Sequence, residues 1–328
     1  MKRIFENLQY LKLGTNTSDY PVYAQLLFSK DGDLITCNNS EYVCLHDVDF
    51  DLNGGAINLY VLENVLKLFD GGIGEYEIKD NKVVINKGNF KTELNISRME
   101  LPKLNFKKIT VDPFQITEEL LTALKKASFF TGAGILEYIY LCEDFICATN
   151  GSRLMVIDNP TYQGEPIGIS RKILSMLKVG DSVGTKDHNV IVYFKGGYVV
   201  FTVDKVDTYP AEKIKKFIDT AFKSVEELSD LDSLKGAFGL VEPVLFKETR
   251  KLVTMTNGKE SMMSIQASSI NGEAKSSIDS SSDKKFELVF DIDSVRGITD
   301  NYYLLIGKEV DKLLLCKDNI RIGLMGYN

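Results

Sequence analysis

The chain has 328 residues, 44% of them hydrophobic, and a formal net charge of −7. That length can bury substantial cores and fits two or three domains, while no apolar run approaches the roughly 20 residues of a membrane helix. The acidic balance argues against a protein that grips nucleic acid tightly across one basic face. Met1-Lys2-Arg3 is followed by no signal-peptide apolar core, so a cytoplasmic location is expected. The five cysteines (Cys37, Cys44, Cys142, Cys147 and Cys316) lie in strand-like runs without ligand-type spacing. They read as small buried hydrophobes in a reducing compartment, although Cys142 and Cys147 bracket a tight turn. Neither a metal nor a cofactor is expected.

In chain order, a helix is expected over Phe5 to Leu13, then a strand over Val22 to Phe28. The turn Lys30-Asp31-Gly32-Asp33 leads to the returning strand Leu34 to Cys37. An amphipathic helix follows Ile57-Asn58-Leu59, and strands over Val83 to Ile85 and Phe90 to Ile96 close the first third. Pro102 and Pro113 bracket a passage that ends in a strand at Ile109-Val111. Thr117 is an N-cap for a helix to Phe129, with Glu118-Glu119 in the turn that the helix dipole favours. Strands follow at Leu136-Leu141, Phe145-Thr149 and Leu154-Ile157, then a short helix capped by Ser170. The strands Val190-Phe194 and Val199-Val203 form a hairpin over Lys195-Gly196-Gly197-Tyr198. Ser224-Val225-Glu226-Glu227 has capping-box spacing ahead of Leu228, Leu231 and Leu234. Asn271-Gly272 reads as a two-residue turn, and Ser276 to Lys285 as a mobile hairpin tip.

One phrase occurs three times. A strand, a short amphipathic helix and antiparallel hairpins recur from Ile57, from Ile167 and from near Phe286. A period of about a hundred residues implies three domains of one α+β fold, at 1–110, 111–209 and 210–328.

The local text carries a resemblance. Thr149-Asn150-Gly151-Ser152-Arg153-Leu154 resembles the Thr-Asp-Gly-His-Arg-Leu signature of the bacterial-type DNA sliding clamp, the beta subunit of the replicative polymerase, with Asn and Ser replacing Asp and His. Val206-Asp207-Thr208-Tyr209-Pro210 resembles that family's segment ending Arg-Phe-Pro. The terminal Leu324-Met325-Gly326-Tyr327-Asn328 resembles its Val-Met-Pro-Met-Arg-Leu tail, shortened and with Gly where Pro is usual. The divergence looks like that of a bacteriophage or mobile-element clamp.

The resemblance implies three tandem copies of the clamp fold, two helices backed by antiparallel sheets in each. Three copies make half of a closed ring, and a head-to-tail homodimer encircles duplex DNA without reading its sequence. It implies one apolar pocket for short linear motifs of the polymerase, clamp loader and repair proteins. Leu136, Thr149, Gly151, Arg153, Leu154, Pro210, Ile214, Leu324, Met325 and Tyr327 are its implied residues. Lys125, Lys126, Arg171, Lys172 and Lys178 fall on or beside the helices that would face the DNA, where they would neutralise phosphate. Solvated cations on an amphipathic helix are the plainer reading of those five. Phe90 is the implied subunit-interface residue.

No catalytic constellation is present. His46 and His188 sit in different repeats, no Ser or Cys has a paired base nearby, and Gly71-Gly72 and Gly196-Gly197 match no nucleotide loop. A small-molecule enzyme on a repeated scaffold would need convergent polar groups that the sequence lacks. The nearer alternative is a clamp-fold adaptor that binds protein motifs without encircling DNA.

Overall fold

The computed structural model describes residues 2–15, 24–29, 32–38, 40–48, 52, 54–68, 75–98, 113–186, 189–203, 208–258, 261–307 and 312–327. The expected strand at Ile109-Val111, Pro102, the first domain boundary at 110/111, Gly71-Gly72 and His188 fall outside these residues. The described residues form two compact units, one of 1–116 with 178–204 and one of 117–177 with 205–328.

The first unit opens with α1 (Lys2–Glu6) and α2 (Leu8–Leu11). The single helix expected over Phe5 to Leu13 is broken at Asn7, whose side chain donates to the Arg3 carbonyl at 2.8 Å. A 3-10 turn ends the segment at Gly14, where a Cβ would stand 2.5 Å from the Thr36 carbonyl oxygen. Strands β1 (Gln25–Phe28), β2 (Leu34–Cys37), β3 (Glu41–Leu45) and β4 (Ala56–Asn58) precede α3 (Leu59–Lys67). Asn58 caps α3 by accepting from the Tyr60 and Val61 amides. Strands β5 (Glu75–Lys79), β6 (Lys82–Lys87) and β7 (Phe90–Asn95) form a separate three-stranded sheet in that order. The unit's larger sheet is completed by β8 (Phe114–Gln115), introduced here with its later partners.

In the second unit, α4 (Glu118–Ser128) begins as expected, with Thr117 Oγ1 accepting from the Leu120 amide at 3.1 Å. Strands β9 (Tyr138–Leu141), β10 (Phe145–Thr149), β11 (Arg153–Asp158) and β12 (Ile167–Ser170) follow, then the one-turn α5 (Arg171–Leu174) capped by Ser170. The chain then supplies β13 (Ser182–Lys186), β14 (Asn189–Phe194) and β15 (Gly197–Thr202) to the first unit. Returning to the second, it forms α6 (Ala211–Ala221), β16 (Val225–Asp230), α7 (Leu231–Val241), β17 (Leu252–Asn257), β18 (Met262–Ser269), β19 (Gly272–Asp279), β20 (Phe286–Asp291), β21 (Tyr303–Gly307), β22 (Lys312–Lys317) and β23 (Ile320–Met325).

Three local expectations are corrected here. The stretch that looked like a capping box is strand β16, paired with β21, and the helix starts six residues later with Asp230 accepting from the Ser233 amide at 2.9 Å. The loop between β18 and β19 is Ile270-Asn271, with Ser269 paired to Gly272, one residue before the expected Asn-Gly. Ser276 to Asp279 belong to β19, laddered against β18, so they are not a hairpin tip.

Strand order exposes the repeat. The first unit's large sheet runs β4-β1-β2-β3-β15-β14-β13-β8, and the second unit's runs β12-β9-β10-β11-β23-β22-β21-β16. The remaining four-stranded sheet runs β19-β18-β17-β20. Numbering each quartet by its own chain order gives 4-1-2-3 in all three cases, a Greek-key arrangement. Each large sheet therefore joins one quartet to the closing hairpins of another stretch, at β3–β15 and at β11–β23.

Candidate functional site

The turn between β10 and β11 is built by its own side chains. Thr149 Oγ1 donates to the Arg153 carbonyl at 2.9 Å and accepts from the Gly151 amide at 3.0 Å. Asn150 Oδ1 accepts from the Ser152 amide, the Ser152 hydroxyl and the Arg153 amide at 2.9–3.0 Å. Gly151 holds a φ of +93°, a region that favours glycine. Asn in place of Asp keeps every acceptor bond, because one carbonyl oxygen takes all three donors. Thr149 is buried in this turn, so its part is to shape the loop.

Beyond the turn, β11 alternates its side chains between two faces. Leu154 joins an apolar cluster of Phe145, Cys147, Val156, Tyr209, Ile214 and Ile218, on which Leu136 also packs. Helix α6 supplies Ile214 and Ile218 at i, i+4, the spacing that puts both on one face. Gly323 of β23 lies opposite Leu154, and a Cβ there would meet Ile218 Cδ1 at 3.4 Å and Leu154 Cγ at 3.5 Å. Met325, two residues on, shares that face, is half-buried, and donates its amide to the Ser152 carbonyl at 2.9 Å. At the start of α6 a cleft of about 440 Å³ is lined by Tyr140, Pro166, Thr208, Tyr209, Pro210 and Lys213 among others. Tyr140 and Tyr209 stack there with centroids 5.7 Å apart.

An ionic cluster ties α6 to the sheet. Arg321 of β23 reaches Asp158 with both Nε (2.9 Å) and Nη2 (2.6 Å) and Asp219 with Nη1 (2.7 Å). Lys215 reaches Asp158 at 3.1 Å and Asp219 at 2.9 Å. Burial pushes the Asp219 carboxyl up, but Lys215 and Arg321 outweigh it and hold it below the usual carboxylate range. Only Lys215 and Asp219, at i, i+4 on α6, are legible as a pair from sequence spacing; Asp158 and Arg321 come from distant strands, so no local pattern contains the whole cluster.

Two residues expected in the pocket face away from it. Arg153 lies on the other side of β11 from Leu154. Its Nη2 donates to the Phe129 carbonyl at 2.5 Å, its Nη1 to the Ser294 carbonyl at 3.4 Å, and its guanidinium stands 5.4 Å over the Phe130 ring. Burial first, then the neighbouring Arg171, lower its pKa. Leu324 pairs across from Arg153, so it points the same way, and is 0% exposed. Tyr327 leaves β23 altogether, pairing with Val289 of β20 under Arg250. The structure thus brings Leu136, Leu154 and Ile214 into one cluster, with Met325 at its edge and Pro210 in the adjoining cleft.

The five cations differ in their surroundings. Lys125 and Lys172 are exposed on α4 and α5. Lys126 pairs with Asp300 at 2.5 Å, and that ammonium holds the Asp300 carboxyl below its ordinary range. Arg171 donates from Nε to Thr131 Oγ1 at 2.8 Å and from Nη2 to the Ser128 carbonyl at 3.0 Å. With Arg153 it satisfies carbonyls at the end of α4, where the helix dipole favours cations. Lys178, in the first unit, is exposed beside Asp181. Phe90 opens β7, at the end of its three-stranded sheet, and is 39% exposed.

No protein-family model matches the sequence, and no curated protein sequence is similar to it at a significant level. Solved structures do match the fold. A pol III beta of Caulobacter crescentus is 13% identical with a TM-score of 0.77, over 99% of this chain and 98% of that one. The DNA polymerase III subunit beta of Pseudomonas aeruginosa is 13% identical with a TM-score of 0.75, over 100% and 98%. The Helicobacter pylori beta clamp bound to a DNA ligase peptide is 15% identical with a TM-score of 0.73, over 99% and 97%. Along its whole length the chain has the fold of the bacterial sliding clamp, as the signature and repeats led us to expect. No described helix is long and apolar enough to cross a membrane.

Proposed function

We propose that this chain is a cytoplasmic DNA polymerase processivity factor. Two copies close head to tail round duplex DNA, and the α6 cleft tethers polymerase, clamp loader and repair proteins through short linear motifs. The reading assigns binding and no catalysis, and it keeps the three domains at 1–110, 111–209 and 210–328.

The observation that carries it is a matched pair of sheet edges. Two joints of one kind are made inside the chain, β3 to β15 and β11 to β23. Strand β7 occupies the place in its hairpin set that β15 and β23 occupy in theirs. Strand β19 occupies the place in its quartet that β3 and β11 occupy. Among the described residues both are the end strands of their sheets, and an uncovered edge is a template for another chain. Pairing β7 of one copy with β19 of the other repeats the internal joint, and a two-fold pairing of that kind closes. In the internal joints Gly197 faces Leu45 and Ile320 faces Ile157. By the same register Phe90 faces the end of the partner copy's β19, near Ile278.

An extended peptide with Leu or Phe anchors lies against Leu154 and Leu136 and reaches Pro210 in the adjoining cleft. The Helicobacter clamp with a ligase peptide supports a site of this kind. DNA is held by enclosure, with Lys125 and Lys172 offering weak phosphate contacts. The pairing of Lys126 with Asp300 and of Arg171 with carbonyls leaves fewer cations for phosphate, which favours the adaptor alternative to that extent.

Retention on closed circular plasmid, against the same plasmid linearised, tests the reading. Protein stays with circles through dilution and raised salt and is lost from linear DNA, and its solution mass is that of two chains. Equal loss from both forms, or a monomer at every concentration, overturns encirclement.

A further inference from the structure

We propose that Asp33, Cys44 and His46 form a binding site for a borderline-soft divalent ion of the zinc class. Strand geometry places them together. Leu34 of β2 pairs with Leu45 of β3, so Asp33 and His46 stand opposite one another at the next step outward. Cys44 precedes His46 by two residues and so projects on the same face. His46 Nδ1 lies 2.8 Å from Asp33 Oδ1 and 3.8 Å from Cys44 Sγ, and the three ligand atoms all lie within 4.8 Å of one another.

Those separations suit one small ion. Zinc bonds of roughly 2.0–2.3 Å in a tetrahedron set neighbouring ligand atoms about 3.3–3.7 Å apart. The nitrogen–sulfur pair, at 3.8 Å, lies just beyond that range, and the nitrogen–oxygen pair, at 2.8 Å, needs to open by about half an ångström. One nitrogen, one sulfur and one carboxylate oxygen form a donor set that favours zinc-class ions over magnesium or calcium. Cys44 is the floor of the site at 2% exposure, while the Asp33 and His46 side chains are 30% and 43% exposed. The outer side is therefore open to the ion and to a water as fourth ligand.

Surrounding groups hold the set in place. Asp33 exchanges bonds with Ser29, its amide donating to Ser29 Oγ at 3.0 Å and its carbonyl accepting the Ser29 amide at 2.8 Å. The His46 amide donates to the Gly196 carbonyl at 2.8 Å, and its ring packs on Tyr198 at 5.6 Å. Burial first, then the Asp33 carboxylate, push the Cys44 thiol up to about 12, while hydrogen bonds from Tyr198 and Tyr42 act the other way. On binding, the Cys44 S–H bond breaks and a sulfur–metal bond forms, with the proton passing to solvent. His46 binds through Nδ1, so the Nδ1 proton that it donates to Asp33 leaves to solvent or shifts to Nε2, and the bound ring carries its one proton on Nε2. The ion then pins the base of the β2–β3 hairpin beside β15.

The test is titration of the reduced full-length protein with Co²⁺, read as thiolate-to-cobalt charge-transfer absorption, followed by displacement with Zn²⁺. The expected result is one ion per chain and loss of the cobalt band on adding zinc. Cys44→Ser abolishes the charge-transfer band, His46→Gln abolishes stoichiometric uptake, and Cys142→Ser leaves both unchanged. His46 is half-exposed, so its variant folds and keeps the test decisive if Cys44→Ser does not. Absence of stoichiometric uptake by the unaltered protein overturns the proposal, as does uptake unchanged in His46→Gln.

Discussion

The two internal joints are built on one backbone pattern and carry different chemistry. Matching Gly197–Leu45 to Ile320–Ile157 sets Tyr42 beside Leu154, Cys44 beside Val156, Tyr198 beside Arg321 and His46 beside Asp158. In the second unit this face is apolar and lies under α6, and its last position, Asp158, binds the cations that hold the helix. In the first unit the same positions are Tyr, Cys and His, and the last of them pairs with Asp33 of the neighbouring strand. A strand pair fixes where side chains point and leaves what they do to residue type. The repeated fold has been used once for a cleft under a helix and once for a small polar cluster.

Leu324→Ala tests the sharper half of this comparison and has the largest expected effect. Leu324 is fully buried on the face away from the cleft, so truncation leaves a cavity and costs about 3 kcal/mol of stability. Urea unfolding at neutral pH measures the loss. Peptide affinity per folded molecule stays unchanged, and a clear fall in affinity without loss of stability would return Leu324 to the pocket.

Leu154→Ala and Met325→Ala probe the other face. Each removes an anchor contact of about 1–2 kcal/mol, so peptide binding weakens about ten-fold per change. Titration with a labelled motif peptide, alongside a mass measurement showing the pair of chains intact, checks both. Full affinity in both variants would place the peptide elsewhere.

What the sequence made legible follows the same division. The three repeats, the Thr117 and Ser170 caps and the Thr149 turn were readable, because each depends on residues close together in the chain. Arg153 and Leu324 belong to the signature and the tail that imply the pocket, yet they stand on the strand face away from Leu154, since neighbours in a signature are not neighbours in space. A strand sends adjacent residues to opposite sides, and the pairing of Arg153 with Leu324 fixes the side for both. Asp33, Cys44 and His46 were passed over for a related reason, since Asp33 comes from the facing strand and no spacing pattern includes it. The strand β16 read as a helix start because Ser224 and Glu227 have cap spacing, while pairing with β21, seventy residues away or more, decided the outcome.

Acid offers the smallest and most local test of how α6 is held. The folded-state pKa of Asp219 is lowered, so its contribution is present above the ordinary carboxylate value near ~3.9 and disappears as pH falls through the folded value. Burial pulls the Lys215 ammonium down, but Asp219 and Asp158 outweigh it and raise its pKa. That contribution is complete below the ordinary lysine value near ~10.4 and is lost as pH rises through the folded value. Between these limits the tie is constant. Asp219 is 42% exposed in its side chain, so solvent screening keeps the effect below about 1 kcal/mol. Lowering the pH from neutral to ~3 should therefore admit protease to the Ala211–Ala221 helix before the sheets unfold. Asp219→Asn should remove part of that acid sensitivity, admitting some cleavage already at neutral pH. If the helix stays protected until far-UV circular dichroism reports global unfolding, the ionic cluster is not what holds α6, and the apolar contacts of Ile214 and Ile218 suffice.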